Sequence, residues 1–321
     1  MAEEEAKALQ SVLDEIVMRM AMISDRGTVA SYIPELATVD LDRFGIALAL
    51  TDGTCLTAGD ANTPFSIQSI SKVFSLALAL ELAGATLWSR VGREPSGDPF
   101  NSIVLLENDK GVPRNPFINP GAIVVADVIL SGRTPKMAVR DILQLCRRLS
   151  GDDTVRIDSA VAASETQTGD RNRALAYFMA AEGNIKASVD EVLEVYFNQC
   201  AISMSCAQLA AAGRCLCAAG RKTGPEDGTV TADRARRINA LMMSCGLYDA
   251  SGEFGYRIGI PAKSGVGGGI IGIVPGIASV AVWSPGLDAN GNSKLGVLAL
   301  EELVRATGWS VFGPLTPDGA F

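Results

Sequence analysis

Ser69 and Lys72 stand three residues apart in PFSIQSISKVFSLALALELAG, residues 64–84. Ile70, Val73, Phe74, Ala77, Leu78 and Leu82 recur at helical spacing. Ser66 behind Pro64 reads as an N-cap, and Gly84 closes the run. Leu76 and Leu80 make the remaining faces apolar, so the predicted helix is buried. The S-x-x-K spacing puts Ser69 and Lys72 on one face, in the first turn, where free N–H groups favour developing negative charge. A lysine buried there is costly unless neutral, and a neutral Lys72 can take a proton from Ser69. The chain has no histidine. That excludes Ser-His-Asp and Cys-His hydrolases and histidine-dependent metal sites. A nucleophile here is activated by lysine, tyrosine or a carboxylate. Taken alone, a capped helix start with a snorkelling lysine explains the pair equally well.

Serine hydrolases that use S-x-x-K pair it with a K-[ST]-G strand. Two segments qualify. Lys222-Thr223-Gly224 lies in a charged stretch after a helix end and reads as solvated loop. Lys263-Ser264-Gly265 opens the apolar, glycine-rich KSGVGGGIIGIV and is preferred. Gly265, Gly267, Gly268 and Gly269 allow a backbone to approach a ligand closely. A phosphate-binding loop does not fit, because no helix opens after the glycines.

The elements that must position these residues follow from periodicity. Residues 3–24 form an amphipathic helix, and FGIALALTDGTCLTAGD a hairpin turning at Asp52-Gly53. Residues 85–121, rich in Gly, Pro and Asn, predict a long irregular segment of the kind that carries function. Helical patterns fill 121–246. Ser188 with Glu191 and Ser205 with Gln208 read as capping boxes. Gly220 closes the second of these helices, and Thr231 caps a helix ending at Gly246. Strand patterns return after 253 and a final helix ends the pattern. The order predicts an α+β fold: a mainly antiparallel sheet built from both chain ends, about 1–62 and 253–321, with a helical part, about 63–252, inserted between them.

Composition narrows the class. Asp and Glu total 36 against 28 Lys and Arg, a net charge of −8, which argues against nonspecific nucleic-acid binding. No uncharged apolar run reaches the 18 or so residues of a membrane span. The N-terminal MAEEEAKALQ lacks a signal-peptide pattern, so a cytoplasmic location is expected. The seven scattered cysteines read as reduced, mostly buried thiols.

The chain resembles the serine-dependent bacterial glutaminases and the related kidney- and liver-type catalytic domains. The resemblance is carried by YIPELA (32–37), FSIQSISKVF (65–74), PSGDPFNS (95–102), NPFINPGAI (115–123), SETQTGDRNRALAY (164–177), VYFNQC (195–200) and CGLYDASGEFGYRIGIPAKSGVGGGI (245–270). It runs through nearly the whole chain. It implies a β-lactamase/transpeptidase-like fold and hydrolysis of L-glutamine to L-glutamate and ammonia, with no metal or organic cofactor. By motif it makes Ser69 the nucleophile, Lys72 its activating lysine and Tyr248 the neighbouring tyrosine, and it gives Val266 an oxyanion-hole N–H beside that of Ser69. Asn119, Glu165, Asn172 and Tyr196 match the residues that hold the amino-acid end of the substrate. Tyr32 matches a further pocket tyrosine, and Lys263 a supporting group. A homodimer or homotetramer is implied, and neither nucleic acid nor membrane is a partner. Amide hydrolysis through an acyl-enzyme needs a nucleophile, a proton shuttle and two oxyanion donors; a buried Glu165 suits the substrate ammonium. The alternatives are another S-x-x-K hydrolase, of β-lactamase or D,D-peptidase type, and a non-catalytic amino-acid-binding protein on the same fold.

Overall fold

In the computed structural model, residues 3–31, 33–97, 101–217 and 230–313 are described. Leu9, Leu13, Ile16 and Met20 repeat at three and four along α1 (Glu3–Ala21) and are its buried stripe. The stripe lies on a five-stranded antiparallel sheet. A short helix α2 (Pro34–Ala37) leads to β1 (Gly45–Leu50) and β2 (Cys55–Gly59), the expected hairpin. The other three strands come from the far end of the chain: β6 (Ala262–Gly265), β7 (Gly269–Val274) and β8 (Ala278–Trp283). The order is β2-β1-β8-β7-β6, so the central pair, β1 with β8, joins the two chain ends.

Alternation along the strands sorts the faces. Ile46, Leu48, Val280 and Val282 join α1 and α13 (Lys294–Thr307), which supplies Leu295, Ala299, Leu300 and Leu303. Ala47, Ala49, Ile271, Ile273 and Ala281 face the helical block. Their small side chains admit α10 (Cys206–Gly213) closely: a Cβ at Gly213 would stand 2.1 Å from Ser279 Oγ. Both faces are covered, which is why these strands read as unbroken apolar runs.

Between the hairpin and β6 lie β3 (Phe65–Ser66), a 3₁₀ turn at Gln68–Ile70, α3 (Ser71–Ala83), α4 (Ile103–Asn108), α5 (Asn119–Leu130), α6 (Pro135–Ser150), β4 (Arg156–Ile157), α7 (Ser159–Thr168), α8 (Asp170–Ala181), α9 (Val189–Cys200), β5 (Ile202–Met204), α10, α11 (Ala232–Cys245), a 3₁₀ turn at Tyr248–Ala250 and α12 (Ser251–Arg257). β3, β5 and β4 form a second, three-stranded sheet. The run Gln68–Ser89 has the length and hydropathy of a membrane span. Here it is the central core helix: Phe74, Leu76, Ala77, Ala79 and Leu80 pack against α5, α9 and their neighbours.

Three sequence-based expectations are corrected. Ser66 does not cap α3; it belongs to β3, and its hydroxyl donates to the Cys200 carbonyl at 3.0 Å. The chain enters α3 through the 3₁₀ turn, which leaves Ser69 two residues ahead of the α-helix proper. Ser188 precedes α9 without a side-chain cap, whereas the Ser205–Gln208 box is fully formed. Thr231 caps α11 as expected. The Gly220 helix end and Lys222-Thr223-Gly224 lie outside the described residues.

Candidate active site

Helices α5, α7, α8 and α9, the 3₁₀ turns at Gln68–Ile70 and Tyr248–Ala250 and the β6–β7 turn border a cavity of about 180 Å³. Ser69, Asn119, Glu165, Asn172, Tyr196, Tyr248 and Val266, which the sequence spreads over nearly 200 positions, all line it. Lys72 lies buried beneath it, 1% exposed, and Lys263 is fully buried. Tyr32 lies outside the described residues.

Ser69 follows a strained residue. Gln68 has φ 48 and is 3% exposed, a left-handed conformation that costs a non-glycine residue about 1–3 kcal/mol. The Gln68 amide donates to Ser66 Oγ at 3.1 Å and hydrogen-bonds Glu165. Gly265 and Gly267 explain how the β6–β7 turn docks beside this kink. A Cβ at Gly265 would stand 2.5 Å from the Ile67 carbonyl oxygen, and one at Gly267 2.1 Å from that of Ser66, closer than real Cβ atoms come. Val266 lies just beyond the last ladder pair, Gly265 with Gly269, so the ladder does not claim its N–H. Its side chain packs with Ile33, Leu36 and Leu287.

Lys72 Nζ donates to Asn119 Oδ1 at 2.7 Å and to the Phe117 carbonyl at 3.3 Å. Burial pulls its pKa from 10.5 to about 8, against the opposing influence of Cys200 and Glu165. Burial therefore raises the share of neutral Lys72 at neutral pH above that of an exposed lysine. Asn119 opens α5 and donates from Nδ2 to Asn172 Oδ1 at 3.0 Å, so one amide links the buried lysine to the first turn of α8.

Tyr248 also has a left-handed backbone, φ 52. Its buried hydroxyl is pushed up to about 12 by desolvation, opposed by hydrogen bonding with the Ser69 and Ser264 hydroxyls. Lys263 Nζ sits 4.5 Å over the Tyr248 ring and donates to the Ser264 carbonyl at 2.7 Å. Its pKa lies well below the ordinary lysine range, through burial and then the charge of Lys72. Glu165 is 7% exposed in the last turns of α7. Burial raises its pKa while Gln68 and Lys72 draw it down. The Tyr196 hydroxyl, raised chiefly by burial, hydrogen-bonds Cys200 one helical turn on. Ser69, Lys72 and Tyr248 can deliver a nucleophile and move a proton; Glu165, Asn119, Asn172 and Tyr196 can hold a small zwitterion.

Sequence reasoning missed Gln68, Asn101, Thr168, Gly169, Arg171 and Cys200, which complete the lining. Arg171 donates to the Asn101 carbonyl at 2.9 Å, joining two rim segments 70 residues apart. The only available signal was adjacency: Gln68 precedes Ser69, and Arg171 precedes Asn172.

The family profile described as Glutaminase matches residues 27–312. The chain belongs to the glutaminase family. Among curated glutaminases, one from Mesorhizobium japonicum is 58% identical over 311 residues, 97% of this chain and 99% of that protein. One from Rhodopseudomonas palustris is 59% identical over 305 residues, 95% and 98%. The solved structure of a probable glutaminase, YbaS, superposes with a TM-score of 0.90 at 35% identity, covering 96% of this chain and 99% of that one. A probable glutaminase from Bacillus subtilis, complexed with 6-diazo-5-oxo-L-norleucine, gives 0.85 at 34% identity, covering 95% and 96%. The glutaminase fold is the serine β-lactamase-like α+β fold expected from the sequence.

Proposed function

We propose that this chain hydrolyses L-glutamine to L-glutamate and ammonia through an acyl-enzyme on Ser69. The observation that carries the reading is one cavity lined by two sets of groups: Ser69, Tyr248 and Val266, and with them Glu165, Asn119, Asn172 and Tyr196. Glu165 takes the α-ammonium, and the Asn and Tyr donors take the α-carboxylate. The side-chain amide then reaches Ser69.

Neutral Lys72 accepts the Ser69 proton as Oγ bonds to the amide carbon. The N–H groups of Ser69 and Val266 hold the oxygen as it becomes negative. Tyr248, still protonated at neutral pH because its pKa is near 12, gives its proton to the departing nitrogen and is recharged from the Lys72 ammonium, so ammonia leaves. Water attacks the ester, its proton passes to Lys72, and Ser69 Oγ leaves reprotonated with glutamate as product. Lys263 supports the Tyr248 ring. To the same reading belong a cytoplasmic site of action and a homodimer or homotetramer; light scattering on the purified chain tests the assembly.

The testing experiment is ammonia release from L-glutamine by the purified chain, with Ser69→Ala, L-asparagine and a chromogenic cephalosporin run alongside. Release from glutamine, reduced about 10⁴-fold or more in folded Ser69→Ala, is expected. A Ser69→Ala enzyme near the wild-type rate removes the nucleophile assignment; cleavage of the cephalosporin in place of glutamine moves the activity to another S-x-x-K hydrolase.

A further inference from the structure

The left-handed backbone of Tyr248 has to be imposed by its surroundings. A bulky residue at φ 52 stores about 1–3 kcal/mol and persists only where neighbours over-determine it. The carbonyls on either side are held within the turn, the Leu247 carbonyl by the Ala250 N–H at 3.0 Å and the Tyr248 carbonyl by the Ser251 N–H, and side chains add to that hold. The Leu247 N–H donates to Ser251 Oγ at 3.0 Å, and the Ser251 hydroxyl donates to the Tyr248 carbonyl at 2.9 Å. One bond comes from a remote segment: Asn292 Nδ2 donates to the Leu247 carbonyl at 3.4 Å, as a second donor beside the Ala250 N–H.

Asn292 closes the turn between β8 and α13. The Asp288 N–H donates to the Asn292 carbonyl at 2.8 Å, and the Asn292 N–H donates to Asp288 Oδ1 at 3.0 Å. The same turn lies against the Tyr248 ring, since a methyl group at Gly291 would stand 3.8 Å from Cε2. Asn292 is fully buried, and its Oδ1 has no partner among the described residues. A buried acceptor left without a partner is destabilising, so packing alone does not explain an amide here. The bond from Nδ2 to Leu247 does.

We propose that Asn292 is a positioning residue for proton transfer: by tying the Leu247 carbonyl to the β8–α13 turn it anchors the Tyr248 turn so that the tyrosine hydroxyl meets Ser69. This rests on the role given to Tyr248 above. A displaced hydroxyl slows chemistry without touching the groups that hold the substrate, so the effect falls on kcat and not on KM.

The test measures kcat, KM and thermal unfolding for Asn292→Ala, Ser251→Ala, Tyr248→Phe and the doubles with Tyr248→Phe. Folded Asn292→Ala is expected to lose about 10–100-fold in kcat with KM within about twofold. In the Tyr248→Phe background the same change is expected to cost less than about threefold, because the hydroxyl it positions is already gone. A merely structural residue lowers Tm and multiplies its loss in full onto Tyr248→Phe; that result, or a folded Asn292→Ala enzyme with wild-type kcat, overturns the proposal. If Asn292→Ala does not fold, Ser251→Ala, which removes the two side-chain bonds that Ser251 makes to the same turn, carries the same expectations and the same refutations. Tyr248→Phe at the wild-type rate overturns the catalytic reading and this proposal together. A slow Tyr248→Phe beside a wild-type-like Asn292→Ala overturns the proposal alone.

Discussion

The two sets of groups that wall the cavity, catalytic and recognition, are built by different means. The recognition wall takes side chains from regular helices: Asn119 in the first turn of α5, Glu165 near the end of α7, Asn172 in the first turn of α8 and Tyr196 within α9. The catalytic wall is built where regular structure fails. Its residues follow or occupy left-handed positions, Gln68 and Tyr248, and its oxyanion turn depends on glycines with no room for a Cβ. A helix surface presents a side chain without constraining its neighbours, and substitutions there change one contact. The catalytic wall needs backbone N–H groups within a few tenths of an ångström of a target, and only distorted backbone brings them in. Mutations should therefore separate: kcat on one wall, KM on the other.

The largest effect is expected at Lys72, and it runs against stability. Lys72→Met should lower kcat by about 10²–10⁴-fold, the range of a general base, with a smaller change in KM through Asn119. A pKa of about 8 in place of 10.5 corresponds to about 3 kcal/mol of burial cost. Methionine removes that cost but leaves Asn119 Oδ1 and the Phe117 carbonyl short of a donor, so a net gain of about 1–2 kcal/mol and a Tm higher by about 1.5–3 °C are expected. The sign with pH follows. The unfolded chain binds more protons at this site between pH 8 and 10.5, so the wild-type lysine becomes less costly as pH rises through that window. The advantage of the mutant should be full below pH 8 and fade towards 10.5. Calorimetry at pH 7 and pH 10 checks it; a destabilised mutant at pH 7 contradicts the assignment of Lys72 as a strained, functional base.

Gly267→Ala probes the backbone side of the same wall. The new methyl group would meet the Ser66 carbonyl oxygen at 2.1 Å, so the β6–β7 turn must move and carry the Val266 N–H with it. Loss of one oxyanion donor is worth about 10²–10³ in kcat, and that drop, with KM changed severalfold at most, is the expected outcome. A Gly267→Ala enzyme with normal kcat removes the Val266 N–H from the mechanism.

What was legible in the sequence divides along the same line. The hairpin, the β1–β8 union of the chain ends and the caps at Ser205 and Thr231 could be read because local spacing and long-range packing demand the same answer there. Ser66 and Ser188 show the limit. A serine before a helical run is an N-cap only if its hydroxyl has no better use, and the Ser66 hydroxyl is spent on the Cys200 carbonyl 134 residues away. The left-handed angles of Gln68 and Tyr248 carry no residue-type signature, since neither residue is glycine or asparagine. Asn292, like Arg171 at the rim, acts through contacts with segments distant in sequence, which no single-chain pattern reveals.

The smallest effect is expected where the two walls meet electrostatically. Glu165→Gln should raise KM for L-glutamine by about 10–100-fold, the worth of a charge-assisted hydrogen bond to the substrate ammonium. If the walls were independent, nothing else would change. They are not: the Glu165 carboxylate is one of the influences holding the Lys72 pKa up. With a neutral glutamine in its place that support is lost, and the Lys72 pKa should fall further below 8. The base is then neutral over a wider range. The acidic limb of kcat/KM, which reports free-enzyme groups, should sit near pH 8 in the wild type and move to lower pH in Glu165→Gln, while kcat at pH 7 holds or rises. A limb that stays in place would mean that Lys72 is not the titrating base, or that Glu165 is neutral in the free enzyme. Titrating Lys72 itself, by NMR of the labelled ammonium in both proteins, separates those two explanations.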